Sequence, residues 1–204
     1  MNKKLDNSNE SLGNIIIISA PSGAGKTTIC KAVVDSSVNV EYSVSYTTRP
    51  SRKDEKNGRE YFFVTRTEFV KMIEEKKFAE WAQVHGNYYG TSRTFLDGVL
   101  KTGKNVLLEI DVQGGMSIKK QYPDACMIFI MTPDLEALEK RLVSRDRDCK
   151  ESINVRLENA KGELESVQEY EYLVINEKLD EAVTAVKTII KSLEYKNGRQ
   201  KHFN

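Results

Sequence analysis

Cysteine is scarce in this chain. The 204 residues contain 3, Cys30, Cys126 and Cys149, widely spaced and with no C-x-x-C pair. That excludes a disulfide framework or a zinc cluster as the organising device, and a reducing compartment, the cytoplasm, is expected. Excess charge is lacking too: 31 Lys and Arg stand against 30 Asp and Glu. A general nucleic-acid binder carries a basic surplus, so no nucleic-acid partner is expected and any affinity for anions must be local. No apolar run approaches the roughly 20 residues that cross a bilayer, so no membrane partner is expected either. The run "IIII" at 15–18 is too short for the core of a signal peptide. The 2 histidines, His85 and His202, have no partner pattern. Nothing in the sequence decides between a monomer and a homo-oligomer.

What the chain does have is alternation. "NIIIIS" (14–19), "NVLLEID" (105–111), "ACMIFIM" (125–131) and "YLVIN" (172–176) read as strands buried on both faces. Helical spacing follows at 134–145 through Leu135, Leu138 and Leu142, with Thr132 as the expected cap and Pro133 at the first helical position. It recurs at 151–168 and 178–194. Strands alternating with helices imply an α/β fold, a parallel sheet covered by helices on both faces. Ligands bind such sheets beyond the carboxyl ends of the strands. One region departs from this rhythm, being rich in Tyr, Thr, Arg and Phe and patterned polar-apolar. There "REYFFV" (59–64) reads as a half-exposed strand, Thr65 and Glu68 as a capping box opening a helix, and 78–92 as strand and turn. A small, mostly antiparallel mixed α/β insertion is expected over about 45–97, inside a single domain of 13–194. Residues 1–12 and 196–204 read as polar tails.

Directly after the first strand stands "SAPSGAGKTT" (19–28). Gly23 and Gly25 allow the backbone to turn its N–H groups inward, at a helix start whose dipole also favours negative charge. Lys26 can reach terminal phosphate oxygens and Thr27 can offer a hydroxyl to magnesium. The ligand this implies is a nucleoside triphosphate with Mg2+, held by Ala20, Pro21, Ser22, Gly23, Ala24, Gly25, Lys26, Thr27 and Thr28. The usual pattern is G-x-x-x-x-G-K-[ST]; Ala20 replaces its first glycine, so Ala20 must adopt a backbone conformation open to ordinary residues. Asp111, at the end of its strand, can bind the magnesium shell or simply cap the next turn.

These features, with "SVSYTTRPSR" (43–52), "NGREYFFV" (57–64), "EWAQVHGNYYGTS" (80–92), "LEIDVQGG" (108–115), "RLVSRDRD" (141–148) and "ESINVRL" (151–157), resemble the guanylate kinase family in order and over nearly the whole chain. The resemblance implies a P-loop NTPase-type core, a GMP-binding insertion and a helical lid at about 140–157. It implies transfer of the γ-phosphoryl group of ATP to GMP, and to dGMP, with Mg2+, in purine nucleotide metabolism.

The side chains fit that chemistry. Arg49 and Arg52 can fork onto one phosphate, with Tyr61 and Tyr89 adding hydroxyl donors. The resemblance puts all four at the GMP phosphate. Guanine presents two adjacent donors at one edge, which a single carboxylate can accept together. Glu80 matches that position, with Ser45 and Thr91 beside the base and Asp111 also on the GMP side. Adenine reverses this donor pattern, and a site left with unpaired polar groups discriminates strongly. Arg141, Arg145 and Arg156 match lid arginines that stabilise charge on the transferring group. Asn176 matches a position near the adenine of ATP. Two other readings compete: a non-catalytic scaffold domain of the same fold, which tends to lose the loop lysine, and a P-loop kinase for another nucleotide, which would not need the set Glu80, Ser45 and Thr91.

Overall fold

The computed structural model describes residues 12–84, 86–143 and 150–195, with backbone only for 150–156. In chain order its elements begin β1 (Ile15–Ser19), α1 (Lys26–Asp35), β2 (Val40–Tyr42), β3 (Tyr46–Thr47), β4 (Phe62–Phe63) and α2 (Arg66–Glu74). There follow β5 (Phe78–Val84), β6 (Asn87–Ser92), α3 (Arg93–Lys101), β7 (Asn105–Glu109), α4 (Val112–Gln121) and β8 (Cys126–Met131). The chain closes with α5 (Leu135–Val143), α6 (Lys150–Glu165), β9 (Tyr172–Ile175) and α7 (Leu179–Ser192).

The larger sheet is parallel, in the order β2-β7-β1-β8-β9. Its central strand explains why the sequence reads as solid isoleucine. Side chains alternate across a strand, and here both faces are covered. Ile16 and Ile18 pack with Ile29 and Val33 of α1 and with Val186 and Ile190 of α7. Ile15 and Ile17 pack with Leu96 and Leu100 of α3 and Ile118 of α4. Each fully buried isoleucine stabilises the fold by about 1.5–3 kcal/mol, so β1 is a firm platform for the loop that follows it. At its base, Asn105 Oδ1 accepts from the Asn14 main-chain N–H at 2.9 Å and from Asn14 Nδ2 at 2.7 Å.

The smaller sheet, the flap, has the order β4-β3-β6-β5. Its β3–β6 and β5–β6 pairings are antiparallel and its β3–β4 pairing is parallel. Its core is aromatic: Phe69 of α2 stacks on Phe78 and Tyr88, with ring centroids 4.4 and 5.3 Å apart. The capping box at Thr65 and Glu68 is formed on both sides. Leu138 and Leu142 of α5 pack with Ala160 and Leu157 of α6 into a separate small cluster.

Several elements differ from the sequence pattern. Thr132 does not cap α5; its hydroxyl donates to the Asp134 carbonyl, and Asp134 Oδ1 accepts from Ala137 N–H at 2.7 Å. Asp is as good a cap as Thr, and its place one residue before Leu135 decides the matter. The strand expected at 59–64 shrinks to Phe62–Phe63, because the preceding residues form turns. The helix expected to reach 168 ends at Glu165, and Val167–Glu169 continue as a 3-10 turn. The short β2 and the glycine-containing α4 leave no clear periodicity in the sequence, whereas α3, which sequence reasoning missed, has Leu96, Val99 and Leu100 at helical spacing on the core face.

Candidate active site

The loop between β1 and α1 stands at the carboxyl end of the central strand. Gly23 has φ 96° and Gly25 has φ 92°. Gly25 is the N-cap of α1 and has no side chain to bond the first-turn N–H groups, which stay available to an anion. A Cβ at Gly25 would also collide with Asn176 Nδ2. Ala24 N–H closes the turn on the Pro21 carbonyl at 3.1 Å. Among the described residues the only non-glycine with positive φ is Lys76, so Ala20 lies in ordinary backbone space, as its side chain requires. Ser22, Thr27 and Thr28 are exposed.

Lys26 Nζ donates to the Ile110 carbonyl at 3.1 Å, which aims the ammonium along the end of β7. The Thr27 hydroxyl donates at 2.5 Å to Glu109, not to Asp111. Glu109 also accepts from the Tyr42 hydroxyl at 2.8 Å. Burial and the Glu109 charge push the Tyr42 phenol well above its ordinary range. Asp111 is the N-cap of α4 and accepts from Gly114 N–H at 2.8 Å. It still borders the cavity described next. Sequence reasoning missed Glu109; a glutamate inside a strand buried on both faces was the available signal.

A cavity opens between the loop and the flap. Lys26, Glu109 and Asp111 line its core side, and Ser45, Tyr61, Glu80 and Tyr89 line its flap side. Glu80 is 6% exposed, and its Oε1 accepts from the Thr91 hydroxyl at 2.6 Å. Burial pushes the Glu80 carboxyl up to about 7; the Thr91 hydroxyl opposes this and the Asp111 charge adds to it. Gly114 makes room for the pair, since a Cβ there would lie 2.9 Å from Glu80 Oε2 and 3.1 Å from Asp111 Oδ1. Burial, with the Glu109 and Tyr89 charges, pushes the Tyr61 phenol up to about 12. The Tyr61 and Tyr89 rings meet edge to face at 5.9 Å.

Other expected site residues stand outside this lining. Arg49 lies over the Tyr61 ring, 5.4 Å from its centroid, and pairs with Glu55 at 2.8 Å. Arg52 is exposed on the same loop. Asn176 is buried beneath the phosphate loop, its Nδ2 donating to the Ala24 carbonyl at 2.7 Å. Arg141 donates to the Asn176 carbonyl at 2.7 Å. Arg145 lies outside the described residues, and Arg156 is described only as backbone within α6. Glu163 of α6 was not anticipated: burial raises its carboxyl, with Lys26 lowering and Asp111 raising it, so it shares the field of the cleft.

A glycine-rich loop after the central strand of a doubly covered parallel sheet, its lysine facing a cavity, is the arrangement of a P-loop NTPase fold. The family model described as guanylate kinase matches residues 12–193. The chain is 46% identical to the guanylate kinase of Thermotoga maritima over 180 residues, covering 88% of this chain and 87% of that protein. It is 46% identical to the guanylate kinase of Syntrophomonas wolfei over 178 residues, covering 87% and 91%. The crystal structure of guanylate kinase from Anaplasma phagocytophilum superimposes with a TM-score of 0.80 at 32% identity, covering 94% of this chain and 91% of that one. Matched by that family model over most of its length and by these relatives, the chain belongs to the guanylate kinase family.

Proposed function

We infer that the chain transfers the γ-phosphoryl group of ATP to GMP, giving ADP and GDP. The observation that carries this is one cavity with Lys26 on one wall and Glu80 on the other. A phosphate-seeking cation and a base-reading carboxylate face the same space from different sheets. The intact Lys26 and the Glu80–Thr91 pair disfavour a scaffold role or a kinase for another base. dGMP carries the same base edge and phosphate and is included as an acceptor.

In this reading residues 20–28 hold the triphosphate of ATP, with first-turn N–H groups and Lys26 on its oxygens. Asn176 braces the loop from below, on the adenine side. The ionised Glu80 accepts both donors of the guanine edge, and Ser45 and Thr91 complete the contacts to the base. Arg49, Arg52, Tyr61 and Tyr89 receive the GMP phosphate. Arg141, Arg145 and Arg156, in a lid at about 140–157, offset charge on the transferring group and exclude water. The GMP oxygen attacks in line, and no covalent enzyme intermediate is needed.

Magnesium fits this site. Thr27, Glu109 and Asp111 supply hard oxygen donors beside Lys26, the sparse kind of set that shares Mg2+ with substrate phosphates. Thr27 and Asp111 would hold the ion, directly or through water, and Glu109 orients the Thr27 hydroxyl. When bound, the ion would neutralise charge on the phosphate oxygens. No helix among the described residues is long and apolar enough to cross a membrane. We place the reaction in the cytoplasm, where its nucleotide substrates are held. The domain of 13–194 then divides into core, flap insertion at about 45–97 and lid.

The test is a coupled assay with ATP and Mg2+. ADP forms when GMP is supplied, and at least about a hundredfold more slowly with AMP, CMP or UMP, the discrimination expected of a hydrogen-bonding base site. Equal turnover with AMP would remove Glu80 from base selection. No turnover with any nucleotide would return the scaffold reading.

A further inference from the structure

Glu55 has no part in the chemistry described above, yet both candidate phosphate-binding arginines converge on it. Arg49 Nη2 donates to its two carboxylate oxygens at 2.8 and 2.9 Å. Its Oε2 also accepts the Arg52 main-chain N–H at 2.8 Å. In return the Glu55 N–H donates to the Arg52 carbonyl at 3.1 Å, closing the turn of residues 52–55. The Arg49 and Glu55 side chains are only 16% and 14% exposed, so water competes weakly for the pair. The guanidinium is braced on other sides as well. Nη1 donates to the Pro50 carbonyl at 2.7 Å, and the Tyr61 and Phe63 rings lie beneath it at 5.4 and 5.8 Å. Burial alone would raise the Glu55 carboxyl, but the bonds from Arg49 and from the Arg52 N–H outweigh it and hold it below the usual carboxylate range.

We propose that Glu55 is a positioning residue for the acceptor phosphate, fixing the Arg49 guanidinium and the Arg52 main chain so that an incoming anion meets one prepared guanidinium on a fixed loop. The proposal rests on the reading that Arg49 and Arg52 face the GMP phosphate. An unrestrained arginine carries a large rotamer entropy, lost when it is fixed on a ligand. Glu55 makes the chain bear that loss on folding rather than on binding, which is preorganisation. The opposite role, a carboxylate that occupies Arg49 until phosphate displaces it, conflicts with the geometry. Glu55 is tied to the Arg52 N–H inside a closed turn, so leaving Arg49 would also mean opening that turn.

The two roles predict opposite signs. Removing a negative charge near a dianion would, by Coulomb attraction alone, tighten GMP binding. If Glu55 prepares the arginines, Glu55→Ala raises KM for GMP about tenfold, with kcat and KM for ATP within about twofold, as expected for lost binding organisation. Glu55→Gln keeps an acceptor for the Arg52 N–H and raises KM about threefold. Guanosine, which has the base but no phosphate, inhibits wild type and both variants with the same Ki. A loosened flap would weaken guanosine as well. An unchanged or lowered KM for GMP overturns the proposal, as does a parallel loss for guanosine. Arg49→Ala and Arg52→Ala separate the layers. If both leave KM for GMP unchanged, the phosphate reading itself fails; if they raise it and Glu55→Ala does not, only the positioning role fails.

Discussion

At the tip of β1 the phosphate loop keeps its shape without the side chain of Lys26, whereas across the cavity the flap side chains proposed to meet the ligand are themselves tied into the surrounding structure. The loop turns on two left-handed glycines, an Ala24–Pro21 bond and the Asn176 brace. Lys26 can lose its charge without disturbing any of these. In the flap, Glu80 is a buried group held by Thr91 and also the carboxylate proposed to read the base, and Arg49 is a half-buried ion pair and also the arginine proposed to meet the phosphate. Function and architecture are thus separable on one wall of the site and fused on the other.

The largest effect should come from Lys26→Ala. Turnover falls about a hundred- to a thousandfold, the usual cost of removing one donor to developing charge, while the thermal midpoint stays within a degree or so. A large drop in stability would show that the lysine supports the loop and that the separation does not exist. Glu80→Gln follows. GMP affinity drops about a hundredfold with ATP affinity unchanged, because the charged acceptor is gone. Stability rises in the same variant, since a buried group with a costly ionised form is replaced by a neutral one. Equal loss for both nucleotides would sever Glu80 from guanine.

A smaller effect is expected from pH. Burial raises the Glu80 carboxyl to about 7, so its stabilising contribution is complete below the ordinary carboxylate range and is lost as pH rises through about 7. Guanine has the opposite preference, for the ionised form. GMP affinity therefore rises roughly tenfold between about pH 6 and about pH 8. The part due to Glu80 disappears in Glu80→Gln, where only the nucleotide phosphate still titrates. A wild-type profile identical to that of the variant would contradict the raised carboxyl. The smallest change is Tyr42→Phe, which deletes one donor to Glu109 and costs about 1 kcal/mol of stability. Denaturant titration measures this, and a Mn2+ titration of the ATP complex shows whether the metal side loosens with it.

The same contrast explains what could be read before any coordinates. The loop is local: strand, glycines, lysine and helix start are contiguous, and the sequence carries the whole arrangement between Ile15 and Asp35. The Thr65–Glu68 box is local too and forms as its spacing implies. The flap depends on partners far apart in the chain. Thr91 meets Glu80 across a strand pair, and Glu109 meets Tyr42 and Thr27 from three separate elements. No spacing rule connects Glu109 to Tyr42 or Thr27, so its place needed the fold; Asp111, two residues on, reads as a metal or capping residue and caps α4 while still bordering the cavity. Asn176 is expected near the adenine of ATP, but its grip on Ala24 beneath the loop needed the fold.

Four identical isoleucines in a row carry no information about alignment. A slip of β1 by one position would refill three of its four isoleucine places with isoleucine and put Asn14 or Ser19 in the fourth, so the apolar packing alone would distinguish the two only in part. Such a slip would nonetheless carry Lys26 about 3.3 Å along the strand axis, enough to lose a phosphate. The choice falls to the polar clasp at the foot of the strand, where Asn14 and Asn105 share one carboxamide oxygen. The height of Lys26 is thus measured from the opposite end of the sheet, by two asparagines far along the strand from the loop.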